Sequence, residues 1–357
     1  MNNAARIQRQ LVERDLDALL ITDEKNQRYA AGFPITDGAV LVTRERAYLI
    51  TDSRYIEAAE KAVDDCVTVQ LYDGQHPLMA RLIDALKENN VRRLGGEELT
   101  LSHGAWLAYQ KRLGLELLPA QEILRTLRAS KSEEEIACMI RAQRISEAAL
   151  AETLPVIKAG MTEKEVAAEL VYRMLRHGSE GNAFDPIVVT GKNTSLPHGV
   201  PGDTVIQPGD FVTMDFGSLS GGYCSDMTRT VAVGSATEEM KNIYYTVLKA
   251  QLAGIAAARS GIPGKVIDAA ARKVIEDAGY GPFFGHGFGH SLGLDIHEPP
   301  NAGPRGEALM AENDLCSAEP GIYLPGRFGV RIEDVMILRA DGAEVITKAP
   351  KDELIIL

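Results

Sequence analysis

Apolar residues recur every third or fourth position over residues 4–13 (AARIQRQLVE), which predicts an amphipathic helix. The short apolar run DALLIT follows as a strand, and GAVLVTRERAYLIT reads as a hairpin around Arg44-Glu45-Arg46. The alternation continues with a helix over 54–63, strand CVTVQLY, helix PLMARLIDALKEN, strand RRLGGEE, helix HGAWLAYQKRL and strand LELLPA. Helices interleaved with short strands predict an α/β domain of about 120 residues on a mixed sheet. The stretch ILRTLRASK then reads as a charged, turn-prone connection. Beyond it, Ser132-x-x-Glu135 is a capping box opening a long helix over 133–154. The boundary falls near Ser130, giving domains 1–130 and 131–357. In the second domain, long helices over 163–177 (opened by Thr162-x-x-Glu165), 238–260 and 265–278 alternate with strand hairpins, an α+β layout.

Two of those hairpins carry acids in otherwise apolar strands. In FVTMDFGSLSGGYCSDMTRT, a two-residue Ser220-Gly221 loop would set Asp215 opposite Asp226. In CSAEPGIYLPGRFGVRIEDVMIL, a three-residue Pro325-Gly326-Arg327 loop sets Glu319 opposite Glu333, a register that a bulge or Pro320 can shift by one. Like charges directly opposed on a sheet are destabilising. A lone acid in a strand is ordinarily solvated, but four in facing pairs require countercharge. No lysine lies in these strands, and Arg229 and Arg331 cannot neutralise four carboxylates. Hard divalent cations can. A third segment, GHGFGHSLGLDIHEPP, places His286, His290 and His297 within twelve residues. Its glycines argue against a helix, and its GxGxG lacks the strand-to-helix context of a dinucleotide loop.

Composition changes the picture mainly by exclusion. A chain of 357 residues, 45% hydrophobic, supports about two domains around a large core. No run approaches the ~18 apolar residues of a membrane span, and the N-terminus lacks a signal peptide's apolar stretch, so a cytoplasmic protein is expected. Cys66, Cys138, Cys224 and Cys316 are scattered without a CxxC, which indicates neither a disulfide framework nor a thiolate zinc site. The net charge of −12, without any basic stripe, argues against nucleic acid and anionic membrane as partners.

Taken in order, MDFG…YCSDMTRT, HGFGHSLGLDIHE, AEPGIY and RIEDV resemble the pita-bread metallopeptidases, and among them the Xaa-Pro peptidases, aminopeptidase P and prolidase. NQRYAAGF and TDSRYIEAA resemble the creatinase-type N-terminal domain of those enzymes. The resemblance implies an α/β creatinase-type domain followed by an α+β pita-bread catalytic domain. It implies two divalent metals, manganese first with cobalt or zinc as alternatives, held by Asp215, Asp226, His290, Glu319 and Glu333. Asp226 and Glu333 would bridge the pair. It further implies Glu319 as general base, His286 as oxyanion donor, His198 and His297 as substrate-side groups, and Arg331 bracing the site with Tyr323 nearby. The chain departs from the family at Ser317, where threonine is usual; serine keeps the hydroxyl. Cys224 shares the face of Asp226, either near the metals or as a small buried filler. The implied activity is hydrolysis of the Xaa-Pro bond at the N-terminus of peptides with proline second, by a homodimer. The alternatives are an Xaa-Pro dipeptidase, a methionine aminopeptidase-like enzyme, and a catalytically silent binding protein on the same scaffold.

Overall fold

Residues Ala18–Ile21 are buried along their whole length, which places their strand (β1) in the middle of a sheet rather than at its edge. The structure, a computed structural model, describes residues 3–357. It contains two compact units, Met1–Arg128 and Ala129–Leu357. In the first, β1 pairs antiparallel with β2 (Gly38–Thr43), which pairs antiparallel with β3 (Ala47–Thr51). The remaining strands, β4 (Val67–Leu71), β5 (Leu94–Gly96) and β6 (Leu117–Pro119), join in parallel. The order β4-β3-β2-β1-β5-β6 is the mixed sheet the sequence pattern predicts. Helices α1 (Ala4–Glu13), α3 (Ile56–Ala62), α4 (Leu78–Glu88) and α5 (His103–Leu113) also fall where the periodicity puts them.

Two helices of this unit escape the sequence pattern. Helix α2 (Glu24–Ala31) is built largely of polar residues, and its Asn26 and Gln27 are buried. Asp23 caps its first turn, and the fully buried Glu97 accepts from Asn26 Nδ2 at 2.8 Å and from the Asp23 amide at 3.0 Å. Helix α6 (Gln121–Ala129) occupies most of the stretch read as a connection. Its apolar face, Ile123 and Leu124, is buried, and the arginines between apolar positions had disguised it as a loop.

The second unit opens with α7 (Glu133–Thr153) and α8 (Glu163–Arg176), and both expected capping boxes are formed. Helices α9 (Glu238–Ala257) and α10 (Gly264–Asp277) follow later in the chain. One sheet has the order β11-β8-β7, from β7 (Ile187–Thr190), β8 (Phe211–Phe216) and β11 (Met227–Ala232). A second has the order β13-β12-β14-β17-β18, from β12 (Gly289–Ser291), β13 (Glu298–Ala302), β14 (Leu315–Ala318), β17 (Asp334–Arg339) and β18 (Gly342–Val345). Helices α7 and α8 pack on the first sheet through Leu150, Leu170 and Met214. Helices α9 and α10 pack on the second through Val247, Ile267 and Met336. Among the described residues no helix is long and apolar enough to cross a membrane.

The register of the first acidic hairpin differs from the expectation. Its tip pairs β9 (Leu219–Ser220) with β10 (Tyr223–Cys224), and further down Thr228 faces Asp215. The turn is therefore Gly221-Gly222, and Asp226 stands diagonal to Asp215 rather than opposite it. Both turn glycines have positive φ (61° and 78°), as a type I′ turn requires at its two central positions. Ser220 at the first of these would be strained, which decides between the registers. The second hairpin keeps the expected register. Gly321 faces Arg331 where β15 (Gly321–Leu324) pairs with β16 (Phe328–Arg331), and Ala318 faces Asp334 in the same register. Glu319 and Glu333 confront each other in the gap between these two ladders. Their amides bond outside the hairpin, to Phe288 O (2.8 Å) and Thr228 O (3.1 Å), tying three strand segments together at the acids.

Candidate metal centre

Strand β8 presents Asp215, the gap before β11 presents Asp226, β12 presents His290, and the interrupted hairpin presents Glu319 and Glu333. All five line one cavity of about 630 Å3, together with His198, His286, His297, Tyr323 and Arg331. His290 Nε2 lies 3.3 Å from Glu319 Oε1 and 3.6 Å from Asp226 Oδ2. Asp226, His290 and Glu333 each turn a donor atom to within 4.8 Å of the others.

Burial governs the charges. It lifts Asp226 and Glu333 well above the ordinary carboxylate range, and neighbouring carboxylates add to the effect. Asp215 is also raised by burial, with Arg331 opposing. Burial would raise Glu319 too, but the hydrogen bond and charge of His290 outweigh it and hold Glu319 down at about 2. The same partnership lifts His290 to about 9 against its own desolvation. The centre holds two ion pairs, His290–Glu319 and Arg331–Asp215, beside two carboxyls, Asp226 and Glu333, whose ionisation burial opposes. Two oxygens here are buried and unbonded, Asp215 Oδ1 and Glu333 Oε1. Their partner oxygens are held, Asp215 Oδ2 by Arg331 at 2.6 Å and Glu333 Oε2 by the Thr228 hydroxyl at 2.7 Å. Buried carboxylate oxygens without donors are costly, and a hard cation satisfies them. Four carboxylates and one imidazole fit such an ion.

Around the acids runs a second set of hydrogen bonds. Arg331 donates to Asp215, to Tyr323 Oη (2.9 Å), to Thr228 Oγ1 (3.1 Å) and to Pro197 O (3.2 Å). His286 Nδ1 lies 2.8 Å from Gly287 O, so it carries the proton, and burial keeps this imidazole below its ordinary value. Its Nε2 therefore accepts from the Tyr323 hydroxyl at 2.9 Å. Both ring nitrogens thus have a partner within the protein. The His297 ring packs edge-on against His290 with centroids 4.2 Å apart, and both His297 and His198 keep exposed surface at the cavity wall. Ser317 Oγ accepts from the His290 amide (3.0 Å) and donates to Glu319 Oε1 (3.2 Å). Cys224 is buried, with Sγ 3.8 Å from Leu294 O, and is absent from the cavity wall. It is a filler. Thr228 was missed by the sequence reading, although its place two residues after Asp226 on an alternating strand was a usable signal.

The Metallopeptidase family M24 profile matches residues 137–340, and the Creatinase/Prolidase N-terminal domain profile matches residues 4–130. The Xaa-Pro dipeptidase of Pyrococcus horikoshii is 35% identical over 342 residues, 95% of each chain. Among solved structures, the Xaa-Pro dipeptidase from Bacillus anthracis superposes with a TM-score of 0.94 at 40% identity, covering 99% of both chains. The X-Pro aminopeptidase from Thermotoga maritima gives 0.93 at 35%, covering 99% of this chain and 100% of its own.

Proposed function

The chain belongs to metallopeptidase family M24 and carries a creatinase-type N-terminal domain, and from that premise we propose that it is a two-metal Xaa-Pro aminopeptidase. The observation that carries the metal part is the convergence of four carboxylates, three of them buried, and one imidazole, with two of the carboxylate oxygens lacking a donor. Asp215, Asp226, His290, Glu319 and Glu333 would hold the cations. When bound, divalent cations supply Lewis acidity and an activated water at neutral pH. Manganese suits a set of oxygens with one imidazole, and cobalt or zinc accepts the same donors.

The remaining roles belong to the protein. Glu319, oriented by the Ser317 hydroxyl, is the general base that carries a proton towards the leaving nitrogen. His297 and His198 orient the peptide. His286 is held by the Tyr323 hydroxyl on the cavity wall, and Arg331 fixes both Tyr323 and Asp215. Proline offers no N–H, so shape must recognise it, and Phe184, Ile187 and Ile296 supply an apolar wall.

One observation favours the dipeptidase reading. Arg305 lines the cavity, and among the described residues no acid pairs with it, so its guanidinium is available to a free C-terminal carboxylate. The deciding experiment is hydrolysis of an Xaa-Pro dipeptide beside an Xaa-Pro-Xaa tripeptide by manganese-loaded protein of measured metal content. Cleavage of the tripeptide is expected; cleavage of the dipeptide alone makes the enzyme a dipeptidase. If protein holding two metals cuts neither, the Xaa-Pro specificity is wrong.

A further inference from the structure

Between the two ladders of the second hairpin, backbone pairing lapses over residues 319–320 on one strand and 332–333 on the other. Each lapse contains one of the site's acids. Such a break frees carbonyls that must find donors elsewhere, because buried backbone groups are rarely left unbonded. Here one side chain serves both strands. Gln251 on α9 is fully buried, and its Nε2 donates to Ala318 O at 2.9 Å and to Ile332 O at 3.3 Å. These are the carbonyls immediately before Glu319 and Glu333.

The chemistry of the amide suits this place. One nitrogen with two hydrogens can satisfy two converging carbonyls, and no other neutral side chain of this length offers that. The orientation is fixed from behind. Gln251 Oε1 accepts from Lys351 Nζ at 2.6 Å, so the NH2 end must face the strands. Lys351 is itself held by Asp334, whose other oxygen takes Arg229 Nη2 at 2.8 Å. Arg229 also donates to the carbonyl of Glu333 at 2.6 Å. The acids are thus braced from the side away from the cavity by groups that do not line it.

We propose that Gln251 is a positioning residue of the metal centre: its amide replaces the missing rungs of the ladder and sets the separation of Glu319 and Glu333. The inference rests on reading those two acids as ligands. It is tested with Gln251→Glu, which keeps length, shape and the acceptor for Lys351 but removes both donors and sets an anion against two carbonyl oxygens. Val247→Ala, one turn earlier on α9 and buried in the same core, is the packing control. Manganese affinity and stoichiometry are measured by calorimetry, with the thermal midpoint of each metal-free protein alongside. Gln251→Glu is expected to weaken manganese binding about 10–100-fold, the range for groups that orient ligands. Lys351→Met should shift it in the same direction. Val247→Ala should lower the thermal midpoint and leave manganese affinity unchanged. Unchanged affinity in Gln251→Glu overturns the inference. So does a loss of affinity in Val247→Ala matching that of Gln251→Glu at equal loss of stability, because Gln251 would then only be packing. A wild-type chain that takes up no manganese overturns both this inference and the reading beneath it.

Discussion

Asp215 and Glu333 each keep one oxygen bonded and one bare, a condition that states plainly where positive charge belongs. With no cation bound, His290 is protonated at pH 7, since it titrates near 9, and Asp226 and Glu333 hold protons more tightly than ordinary carboxyls. A cation that takes His290 as a ligand must displace its proton. Manganese uptake at pH 7 should therefore release protons, and apparent affinity should fall as pH falls. Calorimetry in two buffers of different ionisation heat measures this, and zero net release would contradict the assignment of His290 as a ligand. Asp226→Ala or Glu319→Ala should abolish turnover. His297→Ala should keep the wild-type metal content yet lose activity by about 100-fold, as expected for a lost orienting contact; a metal-depleted His297→Ala protein would make it a ligand instead. The four acids were legible because carboxylates are conspicuous in apolar strands, whereas His290 was set apart from His286 and His297 only by the family resemblance. The facing of Asp215 and Asp226 was not, because Ser-Gly-Gly allows two turns and only the positive φ of both glycines selects one. The position of Thr228 could be read from its spacing to Asp226, but its bond to Glu333 could not, because that carboxylate lies 105 residues away.

At the scale of elements, the site is made by interrupted pairing rather than by regular strands. The second hairpin's register could be read from its three-residue loop, but the lapse around Glu319 and Glu333 depends on amides leaving for Phe288 and Thr228, which no local pattern records. The strands carrying the histidines have an anchor of their own. Lys131, buried just before α7, bonds Asp314 at 2.8 Å and lies 3.6 Å from Glu298, while Asp314 also accepts from the Ser291 hydroxyl. Ser291 and Glu298 adjoin His290 and His297. Burial pushes Asp314 up to about 6 even with Lys131 opposing. Lys131→Met leaves that carboxyl without its cation and should cost about 3–5 kcal/mol of stability, the usual penalty for breaking a buried pair, measured by urea unfolding. A loss under 1 kcal/mol would show that the cluster relaxes without its lysine. Helices α2 and α6 were illegible because buried Asn26 and Gln27, and arginines set among apolar positions, spoil the hydrophobic count.

At the scale of the molecule, the change from alternating helices and strands to long helices with hairpins was visible in the sequence, and the structure's two units divide at Arg128 and Ala129. What the sequence could not provide is assembly. A homodimer is the expectation from the family, and sedimentation across micromolar concentrations checks it; a monomer throughout would remove it.

The tie from the Glu333 amide to Thr228 O also has a consequence in time. A ribosome delivers Asp215 and Asp226 about a hundred residues before Glu333. At ~5–20 residues per second, the first hairpin waits roughly 5–20 s for the group that locks it from behind. During that interval it has neither the last carboxylate nor the bracing of Lys351. The five-residue cluster is therefore complete only once the chain has reached Glu333.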